Sequence, residues 1–221
     1  MRKLIIAAAF AATMAMAPAH AGIIDFANEA DTNGERGVAS GSTIIIDGVN
    51  MRLSGTAGLD INQPFAANPY FDSGDAGLGV CKVLTKTAQC SPSSDDNVTL
   101  GEALKIEFLS DDGTMSVSRN ILGLAFDDGG HSPLGLGNDG MVRIITDNGD
   151  MTALFSAFIA MAASADAFFQ NVSMIELFYE GKQFYVNAMD VSEIPLPGAL
   201  PLLLSGLAGL GFAGRRRKSK A

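Results

Sequence analysis

Tryptophan is missing from the chain, and only two cysteines, two histidines and three tyrosines occur in its 221 residues. Without tryptophan the best stacking platform for a sugar ring is unavailable, leaving Tyr70, Tyr179, Tyr185 and the phenylalanines for that role. One histidine, His20, lies in a segment read below as removable. Any histidine-dependent triad or zinc site would therefore rest on His131 in Asp127-Asp128-Gly129-Gly130-His131-Ser132-Pro133, which lacks the further histidines that common catalytic zinc sites use. A loop histidine beside carboxylates is more often a surface residue than a catalyst. No G-x-S-x-G is present to form a nucleophile elbow, no D-x-D-x-D-G loop to form an EF-hand, and no repeat of 20 to 50 residues to form a propeller or solenoid.

Basic residues are also scarce where they would matter. All 24 acidic residues lie between Asp25 and Glu193, whereas seven of the 15 lysines and arginines sit in the two ends of the chain; eight against 24 leaves the body at −16. Such a body repels phosphate backbones and anionic lipid, which excludes nucleic acid as a partner. Twenty-four carboxylates supply many potential acid/base pairs, but abundance is not geometry, and a secreted polysaccharide-cleaving enzyme is the second reading rather than the first.

The ends are of a different kind. Residues 1–21 combine Arg2 and Lys3 with an uncharged apolar run and the small-residue pattern Ala19-His20-Ala21, the features of a signal peptide cleaved by signal peptidase after Ala21. Residues 194–221 begin Ile194-Pro195-Leu196-Pro197-Gly198, continue without charge to Gly214, and end in Arg215, Arg216, Arg217 and Lys218. As a helix, Gly198 to Gly214 would reach roughly 26 Å, enough for a thin bilayer. The basic cluster would act as a stop-transfer signal and stay cytoplasmic, placing the body outside.

This tail resembles a PEP-CTERM sorting signal, closest to the variant that begins Val-Pro-Leu-Pro-Ala, with Ile194 and Gly198 standing for the usual valine and alanine. The resemblance covers about 28 residues. It implies an exosortase as partner and an inner-membrane-anchored precursor. The product would then join the cell surface or an exopolysaccharide-rich extracellular matrix of a Gram-negative bacterium.

Between the ends, residues 22–193 read as one all-β domain. Ser42 to Ile46 and Val49 to Leu53 flank Asp47-Gly48, a two-residue hairpin signal. Leu104, Ile106 and Phe108 alternate with charged residues, and Asp112-Gly113 is expected to turn the chain into a second strand over Thr114 to Ser118. Further strands are expected over Asn120 to Phe126, Met141 to Thr146, Val172 to Tyr179 and Gln183 to Val191, which together predict a β-sandwich. Met151 to Phe169 breaks the alternation and reads as a short helix on the sandwich or as an irregular strand. Tyr70-Phe71 is assigned to a loop, either as an exposed sugar platform or as a pin into the core.

Cys81 and Cys90 are close enough in an exported chain to form a disulfide, worth about 2 to 3 kcal/mol; their spacing is not C-x-x-C, which weakens a redox or metal reading. The following loop, Ser93-Ser94-Asp95-Asp96-Asn97-Val98-Thr99-Leu100-Gly101-Glu102, crowds hard oxygen donors of the kind calcium prefers. Asp95, Asp96, Asn97 and Glu102 are the candidate ligands of a structural Ca2+. The bland alternative is a solvated turn, with Glu102 serving as a cap or pairing with Lys105. The run from Gly77 to Leu104 also resembles a segment of secreted PEP-CTERM proteins with jelly-roll domains. That resemblance implies a galactose-binding-like sandwich in which calcium braces a loop and Asp190, on the last strand, completes the ligand set. The expectation is thus a non-catalytic exported protein with a structural or carbohydrate-binding role.

Overall fold

The computed structural model describes residues 21–193. The expected signal peptide with Ala19, the expected sorting motif Ile194–Gly198, the expected membrane helix and the basic run 215–218 lie outside the described residues. Among the described residues, no helix is long and apolar enough to cross a membrane.

The body is an antiparallel sheet curled so that its two halves face each other like a sandwich. In chain order it is built from β1 (Ala21–Asp25), α1 (Phe26–Asn33), β2 (Arg36–Gly37), β3 (Ser42–Ile46), β4 (Val49–Ala57), β5 (Phe65–Asp72), β6 (Gly77–Cys81) and β7 (Ala103–Phe108). Then follow β8 (Arg119–Asp128), β9 (Met141–Thr146), β10 (Gly149–Leu154), α2 (Phe155–Ala163), β11 (Met174–Tyr179) and β12 (Phe184–Glu193). One half runs β3-β4-β7-β11-β9-β10 and the other carries β6, β12 and β8, with β1 beside β12. Strand β5 joins them: residues 65–67 pair with β4, and residues 68–72 pair with β6.

Period-two alternation produces this closure because each inward face buries a row of apolar side chains. Met51, Leu53, Leu104, Ile106, Phe108, Ile175 and Leu177 are fully buried on one half, facing Phe71, Leu78, Val80 and Val186 of the other within one core. Fully burying each such side chain contributes roughly 1.5 to 3 kcal/mol. The Asp47-Gly48 hairpin forms in the expected register, Ile46 opposite Val49, with φ of 50° and 79° at the two turn residues.

Two expectations need correction, and a third, left open between helix and strand, is resolved. Thr114–Ser118 is not a full strand: the Asp112 carboxylate accepts from the Ser110 and Thr114 hydroxyls and from the Thr114 amide, and beyond this side-chain-closed turn the pairing is reduced to the single bridge of Leu109 with Ser116, with Met115 exposed. Asn68–Asp72 is not a loop but most of β5. Pro69 is tolerated there because it falls between the β4-paired and β2-paired stretches, and its carbonyl accepts from Val38 N at 2.9 Å. Met151–Phe169 divides, with strand β10 to Leu154 and then α2. Asp139 supplies the cap that Leu154 lacks, accepting from the Ser156 amide and hydroxyl. Phe155 of α2 then joins Phe126 and Phe184 in an edge-to-face cluster with centroids 4.9 to 6.0 Å apart, which seats the helix on β8.

Candidate functional site

Two groups of polar side chains emerge from this frame. The first is the loop after β6. Cys81 ends that strand and is bridged to Cys90, their Cα atoms 5.7 Å apart. Tyr70 packs on the bridge from β5 while its hydroxyl donates to Gln89 Oε1. The loop then returns past Gly79, where a Cβ would lie 2.0 Å from Asp96 O; only glycine admits so close an approach.

Lys82 organises the acidic part of the loop. Its ammonium donates to Asp95 Oδ1 at 2.7 Å and lies 2.5 Å from Glu102 Oε1, and its amide donates to Asp95 Oδ2. The Glu102 side chain is fully buried and accepts from Thr99 N at 2.8 Å. Burial pulls the Lys82 ammonium down, but its hydrogen bonds to Asp95 and Glu102 outweigh that and hold it above the usual lysine range. Burial pushes the Glu102 carboxyl up, against the Lys82 and Thr99 hydrogen bonds.

The five residues expected to bind calcium are therefore not one donor set. Asp95 and Glu102 share Lys82, a cation built into the chain. Asp96 Oδ1 accepts from the Tyr185 hydroxyl at 2.6 Å, and Asn97 is buried beside Gly79. Asp190 is five residues beyond Tyr185 on β12, roughly 17 Å along the strand, where it pairs with Ile23 and Gly123. These donors do not fit a calcium site, and Glu102 pairs with Lys82 rather than Lys105. Cys81, Cys90 and Asp95 offer atoms within 4.8 Å of one another, but both sulfurs are spent in the disulfide.

The second group begins at Tyr185. Its buried hydroxyl sits between Asp96 and Asp72, and burial together with those carboxylates drives the phenol far above its usual range. Asp72, at the end of β5, is pushed up by burial and by Asp96, while Tyr185 and His131 oppose the rise. His131 Nε2 lies 3.1 Å from Asp72 Oδ2, its Nδ1 lies 3.0 Å from Gly74 O, and its ring stands edge-on to Tyr185. Both ring nitrogens thus face acceptors. The ring thereby ties the β5–β6 turn to the turn after β8.

Beside His131 opens a cleft of about 420 Å³. Strand pairing makes it: Val186 pairs with Phe126 and Ala188 with Ala125, so Asn187 is an extra residue bulged from β12. The Asn187 amide nitrogen donates to Asp127 Oδ2 at 2.5 Å and to Asp75 O at 2.7 Å. Asp127 is only 4% exposed. Burial raises its carboxyl, the Asn187 hydrogen bond lowers it, and Asp75 and Asp128 raise it further. Pro133, Leu134 and Ile159 are among the apolar residues that line the cleft.

The Tyr70-Phe71 pair takes the core role of the two foreseen, at 3% and 0% exposure. Lys82, Asp72, Asp127 and Asn187 were not singled out by sequence reasoning. Asp127 stood in the segment quoted around His131, whereas the Asn187 bulge leaves no signature in composition or periodicity. Comparison with family models, curated proteins and solved structures finds no match.

Proposed function

We propose that this is an exported cell-surface or extracellular-matrix protein, sorted through an exosortase system, whose body is a non-catalytic polysaccharide-binding sandwich of jelly-roll, galactose-binding-like type. The observation that carries the reading is the Cys81–Cys90 bridge, because a structural disulfide belongs to an oxidising, extracytoplasmic compartment. The signal-like N-terminal segment and the motif, apolar run and basic cluster of the tail support the same route. First strand β1 lies beside last strand β12, which brings the two ends of the body together.

Support for a non-catalytic role comes from engagement of the reactive groups: His131 uses both ring nitrogens and Lys82 is held by two carboxylates. The −16 body favours polymers without dense negative charge, and its mixed polar and apolar cleft suits a sugar unit. Fractionation of expressing cells with thiol labelling tests the export reading. The protein is expected in the envelope or matrix fraction with no reactive thiol; a cytoplasmic protein with two free thiols would overturn it.

A further inference from the structure

We propose that the cleft beside the Asn187 bulge binds a sugar unit carrying a protonated amine, such as the unacetylated hexosamine of a cationic polysaccharide. The inference deepens the polysaccharide-binding reading and rests on it. Its first support is the inventory of hydrogen-bonding groups around the opening. The Asn187 amide hydrogens are directed to Asp127 Oδ2 and Asp75 O, so its Oδ1 is what remains for a ligand. Among the described residues nothing donates to Asp127 Oδ1, although that side chain is more than nine-tenths buried and lines the cleft. The Asp75 carboxylate, exposed at the rim, has no donor among the described residues either. His131 has both nitrogens engaged elsewhere.

The polar wall is therefore one of acceptors bearing negative charge. A ligand that fills it must bring donors, and an ammonium brings three with a complementary charge. Sugar hydroxyls bring further donors, and the apolar lining residues Pro133, Leu134 and Ile159 suit the C–H face of a pyranose ring. Uronate or sulfated polymers meet like charge both here and over the whole body.

A second support is the placement of Asp127: its carboxylate is largely withdrawn from water yet lines the open cleft, so a cation bound there meets it with little competing solvent. The β-bulge is the device that turns Asn187 toward Asp127, and such irregularities recur where a strand presents a side chain for use.

Titration calorimetry of the full chain in a sugar-free detergent, at about pH 5.5 where sugar amines are protonated, provides the test. The probes are a β-1,4-linked glucosamine tetramer, its N-acetylated counterpart and the matching glucose tetramer. The glucosamine tetramer is expected to bind at least tenfold more tightly than either neutral probe. Asp127→Asn is expected to remove that preference, and Ile159→Arg, which places a competing guanidinium at the rim, to abolish binding; retained unfolding transitions show that both variants fold. Equal binding of charged and neutral tetramers would overturn the amine preference while leaving polysaccharide binding intact. Tetramer binding unchanged by both substitutions would remove the site from this cleft. Absence of binding by all three probes would overturn the inference, and a glycan array then decides whether polysaccharide binding survives it.

Discussion

The two acidic regions on either side of Tyr185 differ in one respect that separates structure from function. Around Asp95 and Glu102 the balancing cation is Lys82, from the same chain. At the β8–β12 bulge Asp127 and Asp75 have an amide from Asn187 but no cation at hydrogen-bonding distance, and the space in front of them is open. Similar donor types thus produce a closed brace in one place and a receptive cleft in the other. Acidic residues alone do not mark a ligand site; what matters is whether the chain has already supplied the counter-charge.

The most damaging way to break the contrast is to remove the built-in cation. Lys82→Met leaves Glu102 buried without its partner and is expected to cost about 2 to 3 kcal/mol in denaturant unfolding, less than a fully buried pair because the lysine is one-third exposed. Calcium is expected to leave the melting temperature of the unaltered protein unchanged, since Lys82 already serves Asp95 and Glu102; a clear rise would restore the metal reading. Replacing Cys81 and Cys90 by serine releases the same loop at its base, with an expected loss of about 2 kcal/mol. It is expected to leave the cleft's affinity for sugar probes unchanged.

Tyr185→Phe tests the link between the two regions. Its hydroxyl donates to half-buried Asp96 and stands beside buried Asp72, and deletion is expected to cost about 1 to 2 kcal/mol because that charge-assisted hydrogen bond is lost.

The smallest expected effect has a distinctive pH signature. The Asp127 carboxyl is raised by burial above its ordinary value of 3.8. Its stabilising contribution is fully present below that value and is lost as pH rises through the raised folded value. Asp127→Asn is accordingly expected to be slightly more stable than the parent at about pH 7 and equal to it at about pH 3. Thermal unfolding at the two pH values reads the difference, and a variant less stable at the higher pH would contradict it.

Much of the fold was legible because alternation and turn chemistry are local. Asp47-Gly48 specified its hairpin through two positive-φ positions, and Leu104, Ile106 and Phe108 announced β7 by period. Strand β6 was harder: Gly77 to Cys81 is buried at every position, so it carries no alternation. Asn68–Asp72 read as a loop, whereas a change of strand partner around Pro69 lets the segment run on as β5. Thr114–Ser118 had strand-like residues, but the nearby Asp112 side chain offered the backbone a competing turn.

The sites were less legible because their partners are distant in sequence. The crowded loop Asp95–Glu102 was noticed, but nothing local says that Lys82 would reach both ends of it. His131 stood out by being alone, yet its role depends on Asp72 and Gly74, which meet it only across the closed sandwich. Asn187 looked like any strand residue; its bulge exists because β8 and β12 slip register by one position.

The most direct test of the distinction between brace and cleft is a backbone-amide NMR titration of the protein with the glucosamine tetramer. Shift changes are predicted at Leu124 to Leu134 and around Asn187, with none between Lys82 and Glu102. Changes centred on the Lys82 loop, with the bulge silent, would contradict the account.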